Sequence, residues 1–337
     1  MLHETNCYGG MNFAFIYGKL ILEGSSIREG GLPKIQFGFQ FPNVMGYSSF
    51  DRLRKIAETA EDLAFDSIWT SDHVLPIEAF QKSGTPGMYE SVTTLAYLAA
   101  VTKKVTIGSS VLLPLRHPLL LATMFNTIDH ASSGRLRIGY GVGWYRSEFE
   151  NMGIPFAKRG SVASEQLKIM KMLWTKPSVS YKGEFYTLKD AKVVPKSVQK
   201  PHPPILIGGS SDQSFKRAVE LGDGWMPFAS SVEDVRKGMN EIRKIASSKK
   251  RSLKDFHLYV DLPTTLKSKD NLGKTLKNKL KIDDDKEESL TGDSFTITNR
   301  IERYISLGVQ QIILEFEEHG NEIENLKLFK SEIASRF

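Results

Sequence analysis

The chain has a single cysteine, Cys7, among its 337 residues. One thiol excludes an intramolecular disulfide framework and argues against a structural zinc site, which usually takes several thiolates. No apolar run reaches the roughly 18 residues that span a bilayer. The N-terminal region also lacks the basic stretch, apolar core and cleavage pattern of a secretory signal. We therefore expect a protein of the reducing cytoplasm, and we predict neither a metal site nor a membrane partner.

Two phosphate-binding signatures are missing as well. A dinucleotide fingerprint that starts at Gly139 would need glycine where Trp144 stands, and no Walker pattern occurs. The net charge is +6, yet no nucleic-acid module accompanies it, and acidic residues neighbour the basic ones along helix-like stretches. This pattern is typical of a solvated surface, so no nucleic-acid partner is predicted.

What the chain does have is an alternation of β-like and helix-like runs from Lys34 onward. The first two pairs are IQFGFQF with FDRLRKIAETAEDLAF, and SIWTSD with SVTTLAYLAAVT. Eight such pairs can be counted, which favours a closed (βα)8 TIM barrel over an open doubly wound sheet. We predict one barrel domain over 34–337, preceded by an extension over 1–33 that lies outside it.

Two stretches interrupt the alternation. Residues 178–204 contain a hairpin-like piece and a proline-rich run, which is too long for an ordinary barrel loop. Residues 267–294 are charged and poor in large apolar side chains. We interpret both as insertions at the C-terminal face of the barrel, the second being either a surface excursion or a lid.

Polar side chains follow the predicted strands. Asp72 and His73 close the run SIWTS, at the mouth where active sites of such barrels lie. Because imidazole exchanges protons near neutrality, His73 is a candidate proton donor or acceptor. Glu148 falls in the first turn of the helix predicted after GVGW, where it either caps the helix or faces the mouth.

Glycines mark two candidate cofactor loops. Gly139, Gly141 and Gly143 alternate where a strand runs into a turn, which suits either a closely bound ligand or close strand packing. The sequence GGS at 208–210 precedes the helix-like SFKRAVELG. It is either a phosphate cradle at a helix N-terminus or an ordinary capped turn.

Together these segments resemble the bacterial luciferase-like superfamily of flavin and deazaflavin oxidoreductases, most closely its coenzyme F420-dependent branch. The motifs that carry the resemblance occur in the same order and are SDHV, GSSVLLPLRHP, GVGWYRSEFENMGIPFAKRG, YKGEFY, KPHPPILIGG and ELGDGW. They cover nearly the whole chain after residue 33. The resemblance implies a (βα)8 barrel, usually homodimeric, that holds the cofactor at its C-terminal face.

The resemblance also implies roles for individual residues. Asp72 and His73 match an acidic residue and a histidine beside the cofactor ring, and Ser110 and Val111 match a non-prolyl cis peptide behind it. Backbone near the cofactor side chain and phosphate is matched by Gly141, Gly143, Gly208, Gly209 and Ser210. Some relatives carry a catalytic glutamate where Trp144 and Tyr145 stand, which puts a catalytic role of Glu148 in question. The aromatic residues expected to form a partly apolar pocket are Phe39, Phe41, Trp69 and Trp144.

The leading hypothesis is an F420-dependent oxidoreductase that transfers a hydride between the deazaflavin and an organic small molecule, with His73 moving the matching proton. A first alternative keeps the barrel but uses reduced FMN and oxygen, as a monooxygenase with flavin peroxide chemistry. A second alternative is a non-catalytic barrel that binds a flavin. The titratable residues at the mouth argue against the second alternative, and the sequence does not identify a substrate.

Overall fold

A computed structural model describes residues 34–43, 49–76, 87–266, 288–317 and 320–337. The extension predicted over 1–33 lies outside the described residues, as do positions 267–287 of the predicted excursion. The last residues of that excursion, from 288 onward, are described.

Strands and helices alternate along the described chain. The strands are β1 (Gln36–Phe41), β2 (Ser67–Thr70), β3 (Thr106–Leu112), β4 (Leu136–Tyr140), β5 (Val179–Lys182), β6 (Thr187–Ala191), β7 (Ile205–Gly208), β8 (Gly224–Met226), β9 (His257–Leu266), β10 (Leu290–Gly292) and β11 (Gln311–Phe316). The helices are α1 (Phe50–Asp62), α2 (Ser91–Val101), α3 (Pro118–Ala131), α4 (Arg146–Asn151), α5 (Arg159–Thr175), α6 (Asp212–Glu220), α7 (Val232–Ser248), α8 (Ser294–Ser306) and α9 (Glu322–Glu332).

Eight parallel strands close into a barrel. Their order is β1, β2, β3, β4, β7, β8, β9, β11, and β11 pairs again with β1. This closure confirms the predicted (βα)8 barrel. The short strand β10 pairs in parallel with the end of β9, through Leu290 opposite Thr264, so the described end of the predicted excursion extends the sheet.

Side chains at the helix starts explain where the helices begin. Ser211 accepts a hydrogen bond from the backbone N–H of Ser214 at 3.3 Å and starts α6 with a capping box. His117 precedes Pro118, and its Nδ1 accepts from the N–H of Leu119 at 3.2 Å. Proline suits the first position of α3 because its missing N–H would have no partner there.

The segment 178–204 contains a hairpin in which β5 and β6 pair antiparallel. Its turn is held against α5, because the Glu165 carboxylate accepts from the backbone N–H groups of Glu184 at 3.1 Å and Tyr186 at 2.9 Å. The proline-rich part lies on α3, where Asn126 Nδ2 donates to the Pro195 carbonyl at 2.7 Å. The insertion thus packs on the helix layer.

Alternate strand residues face the barrel lumen. A cluster of five buried side chains fills its middle: Trp69, Leu206, Met226, Tyr259 and Ile313. Glycine is required beside them, because a Cβ at Gly108 would lie 2.5 Å from the Trp69 ring and one at Gly139 only 2.0 Å from the Ser109 carbonyl oxygen. Because these side chains fill the middle of the barrel, the open mouth above them is where a ligand could bind.

Phe39 and Phe41 do not face this lumen. Gly38 and Gln40 hold the inward positions of β1, since a Cβ at Gly38 would meet lumen side chains and Gln40 hydrogen-bonds across the lumen. Phe39 is fully buried between the strands and the helices, with its ring 6.1 Å from that of Phe65. The prediction that these two aromatic residues line the cofactor pocket is therefore wrong.

Candidate active site

The carboxyl ends of the barrel strands open on one face. His73 follows β2, residues 110–111 lie near the end of β3, residues 141–144 follow β4, and the 208–210 turn follows β7. The structure thus brings to one mouth the site residues that the sequence predicts, apart from Phe39.

Glu148 holds His73 in place. Nδ1 of His73 lies 3.1 Å from Oε2 of Glu148, whose side chain is fully buried. The other oxygen of Glu148 accepts from the backbone N–H groups of Val74 at 2.6 Å and Leu75 at 3.3 Å. Glu148 therefore faces the mouth, although it also lies in the first turn of α4. In the described chain no residue hydrogen-bonds Nε2, which is the nitrogen that the pair leaves available.

Trp144 stands beside this pair. Its ring centroid is 5.9 Å from that of His73 in an edge-on arrangement, and its side chain is 59% exposed. Gly143 before it has a φ of +74°, and a Cβ there would meet the Phe149 ring at 2.8 Å. Glycine at 143 is thus explained by packing, and the turn that it permits presents Trp144 to the mouth.

Asp72 is engaged by Arg116 rather than by His73. Its two carboxylate oxygens accept from the guanidinium at 2.9 and 2.7 Å, and the Leu113 N–H adds a bond of 2.9 Å. Arg116 also lies 2.5 Å from a carboxylate oxygen of Glu90. Burial disfavours the guanidinium charge, but the hydrogen bonds and charge of Asp72 outweigh it and raise the pKa of Arg116. Asp72 is therefore a buried carboxylate that binds Arg116 and the backbone of Leu113 at the mouth.

The peptide bond between Ser110 and Val111 is cis, at the position that the resemblance implies. The register of β3 with β4 shifts between Ser109 and Leu112. Val111 packs tightly here, because a Cβ at Gly141 would approach its side chain to 2.4 Å and one at Gly208 to 2.9 Å. Close strand packing, one of the two interpretations given above for Gly141, therefore accounts for that glycine, and the same contact with Val111 accounts for Gly208.

The turn after β7 fits an anion. Gly209 has a φ of +95°, a conformation that glycine adopts without strain, and its carbonyl accepts from Trp225 Nε1 at 2.8 Å. Gly209 and Ser210 are exposed residues, and their backbone N–H groups donate to no described residue. These donors precede the capped N-terminus of α6, so a phosphate group fits this turn.

Three polar side chains converge beneath the mouth, and the sequence did not predict two of them. Oδ2 of Asp261 accepts from Ser110 Oγ at 2.6 Å and from Gln40 Nε2 at 2.7 Å. Burial and then the neighbouring Glu315 raise the pKa of Asp261 well above its ordinary value. Burial and then Glu317 raise the pKa of Glu315 to about 7. The sequence analysis did not predict Glu315 either. For Asp261 and Glu315 the available signal was a carboxylate inside an apolar run, HLYVDLP and QIILEF respectively.

A family model described as luciferase-like monooxygenase matches residues 35–272. The chain belongs to the luciferase-like monooxygenase family. This finding confirms the superfamily predicted from the motifs.

Named relatives of this family member use two kinds of cofactor. The chain is 29% identical over 234 residues to an FMNH2-dependent dimethylsulfone monooxygenase of Pseudomonas putida, covering 65% of this chain and 63% of that protein. It is 34% identical over 182 residues to an F420-dependent glucose-6-phosphate dehydrogenase of Amycolatopsis mediterranei, covering 52% of each. The chain thus spans less than two thirds of the length of these curated relatives.

The fold of this family member matches solved structures. The coenzyme F420-dependent tetrahydromethanopterin reductase from Methanopyrus kandleri has a TM-score of 0.71, with 22% identity, and the match covers 90% of this chain and 99% of that one. Within the described ranges, no helix is long and apolar enough to cross a membrane. The same ranges hold no group of three His, Cys, Asp or Glu side chains placed to bind a metal ion.

Proposed function

We propose that this luciferase-like family member is an F420-dependent oxidoreductase that transfers a hydride between the deazaflavin and an organic small molecule. The observation that carries the proposal is the contact of 3.1 Å between His73 and the buried Glu148 at the barrel mouth. Transfer of a hydride to or from an alcohol, a carbonyl or a similar group is matched by transfer of a proton. A barrel that only stored a flavin would not need an oriented histidine there.

The residues at the mouth fit a flavin-type cofactor. The N–H groups of Gly209 and Ser210, which donate to no described residue, would hold its phosphate, and the backbone at 110–111 would lie behind its ring. Trp144 and His73 would border the space for the substrate. When bound, the deazaflavin supplies the carbon that carries the hydride, and the protein supplies orientation and proton exchange.

Glu148 sets the role of His73 in this proposal. A carboxylate beside Nδ1 favours the tautomer with its proton on Nδ1, which leaves Nε2 as the proton acceptor of the neutral ring. Two backbone N–H groups fix the carboxylate itself, so the imidazole is held in one orientation. The Trp144 ring lies beside the imidazole in an edge-on arrangement, with 5.9 Å between the ring centroids.

The F420 relative from Amycolatopsis mediterranei supports this choice of cofactor. A second candidate function is an FMNH2-dependent monooxygenase, which the match to the Pseudomonas putida protein favours because it extends over 65% of this chain. The same phosphate turn and the same histidine would serve either cofactor. The two functions therefore differ in the ring that the mouth accepts.

Cofactor titration tests the proposal. Purified protein is added to F420 and, in parallel, to FMN, and the fluorescence of each cofactor is followed. We expect saturable quenching of F420 at micromolar protein and no binding of FMN. Binding of FMN alone would replace the first function by the second, and tight binding without turnover by any reduced cofactor would support a storage barrel.

We further propose that the protein acts as a homodimer in the cytoplasm, on the basis of the family resemblance and the single cysteine. Sedimentation velocity of the full chain tests the dimer. A single species with the mass of one chain would contradict it.

A further inference from the structure

Asp261 points into the lumen. It belongs to β9, yet its carboxylate hydrogen-bonds Gln40 on β1 and Ser110 on β3, and β11 and β2 lie between these strands in the barrel order. Only a side chain that crosses the lumen reaches both partners. Asp261 is 1% exposed, and its oxygen Oδ1 has no hydrogen-bond partner in the described chain. The amide oxygen of Gln40 also has none.

Glu315 lies on the same side of the mouth as Asp261. On β11, Gln311 hydrogen-bonds Ser67 Oγ inside the barrel and Ile313 belongs to the lumen cluster. Strand alternation therefore turns Glu315 inward, one step nearer the mouth. The residue is half-buried, and no described residue forms a hydrogen bond or an ion pair with its carboxylate.

The described groups around Glu315 are acidic or neutral. Asp261 faces it from β9, Glu317 follows it at the end of β11, and the neutral Gln40 lies on β1. In the described ranges no lysine, arginine or histidine forms an ion pair with either Asp261 or Glu315. Among the described residues, this side of the mouth thus offers hydrogen-bond acceptors and, once Glu315 ionises, negative charge, without a donor to match them.

We propose that Glu315, backed by Asp261, selects the substrate: it accepts a hydrogen bond from a hydroxyl or ammonium group and excludes a carboxylate or phosphate from that position. This selection role rests on the proposed function, because it takes the mouth as the substrate site. Like charges held close in a partly buried site repel strongly, whereas a donor would satisfy a desolvated acceptor.

The distance between Glu315 and His73 suits a small molecule. Only β1 separates β11 from β2, whose end carries His73. Neighbouring strands lie about 4.8 Å apart, so the two groups stand on strands about 10 Å apart. A substrate that donates a hydrogen bond to Glu315 could therefore present its reacting carbon near His73.

Three probes with one ring and different head groups test this role: cyclohexylmethanol, cyclohexylmethylamine and cyclohexanecarboxylate. Their binding to the full chain is measured by ligand-observed NMR, without cofactor and then with bound cofactor. Near pH 8.5, where Glu315 is ionised, we expect the wild type to bind the amine at least about tenfold more tightly than the carboxylate. The alcohol should bind between them.

Matched variants assign the preference to one side chain. In Glu315→Gln the ratio should fall to about threefold or less, whereas Glu317→Gln removes an exposed charge two positions further along the chain and should keep the wild-type ratio. Glu315→Asp should retain the preference for the amine. In the wild type the ratio should also fall near pH 5.5, where Glu315 is protonated, and in Glu315→Gln it should not change with pH.

Several outcomes would overturn the proposal. These are an unchanged ratio in Glu315→Gln, an equal loss in Glu317→Gln, a wild type that binds the carboxylate as well as the amine, or no binding by any probe. Thermal melting of each variant shows whether it is folded. The expected ratios combined with failure of both F420 and FMN to bind would reject the proposed function alone, whereas F420 binding without these ratios would reject only the role of Glu315.

Discussion

Replacement of Glu315 by glutamine should stabilise the protein above neutral pH. Burial, and then the charge of Glu317, raises the pKa of Glu315 from an ordinary 4.5 to about 7 in the folded chain. A carboxyl group whose pKa is raised by folding contributes its stability in full below the unfolded pKa and loses it as pH rises through the folded pKa. At about 1.4 kcal/mol for each pH unit of that interval, the loss is about 3 kcal/mol.

Urea unfolding followed by tryptophan fluorescence measures this effect, because Trp69 and Trp225 are buried. Between about pH 5 and pH 8.5, the stability of Glu315→Gln relative to wild type should rise by about 2 to 3 kcal/mol. The matched variant Glu317→Gln, at an exposed position, should show a much smaller change. If the wild type and Glu315→Gln lose stability in parallel across this range, then the burial of an ionising carboxyl group at this position is refuted.

Three further changes test other parts of the site. His73→Ala should lower turnover by about 100-fold or more while the F420 affinity from fluorescence titration stays within about threefold, and equal losses of both would contradict a proton-transfer role. Arg116→Met leaves the carboxylate of Asp72 buried without its cation, so urea unfolding should show a loss of about 3 to 5 kcal/mol. Gly209→Ala places a side chain at a φ of +95° and should cost about 1 kcal/mol in the same assay; no measurable cost would contradict the left-handed conformation of this turn.

The barrel could be predicted from the sequence because each β-like run is followed by a helix-like run with its own periodicity. It was harder to predict which side chains of a strand face the lumen and which face the helices, as β1 shows. Its sequence QFGFQF places aromatic residues at every second position, and in a barrel both the lumen and the helix layer accept apolar side chains. Gly38 was the better guide, because a Cβ there would lie 2.9 Å from Trp69 Nε1, so the crowded lumen excludes a larger side chain at this position of β1.

The contacts of the site could not be predicted, because they join residues that are distant along the chain. Glu148 contacts His73 from 75 positions away, and Asp261 contacts Gln40 from 221 positions away. The motif placed His73 at the mouth correctly, but local pattern carries no information on which carboxylate reaches it. For the same reason local pattern does not reveal the partner of Asp72, which is Arg116, 44 residues further on.

Arg116 has a consequence for how this barrel could be altered. One guanidinium contacts Asp72 and Glu90 together, and these two residues bracket a stretch of 17 positions between β2 and α2. The ends of that stretch are thus fastened to each other independently of the sequence between them. A designer could exchange the residues between Leu75 and Glu90 for those of another barrel and retain the anchor points, so new substrate preferences could be sampled with His73 and its contact with Glu148 left in place.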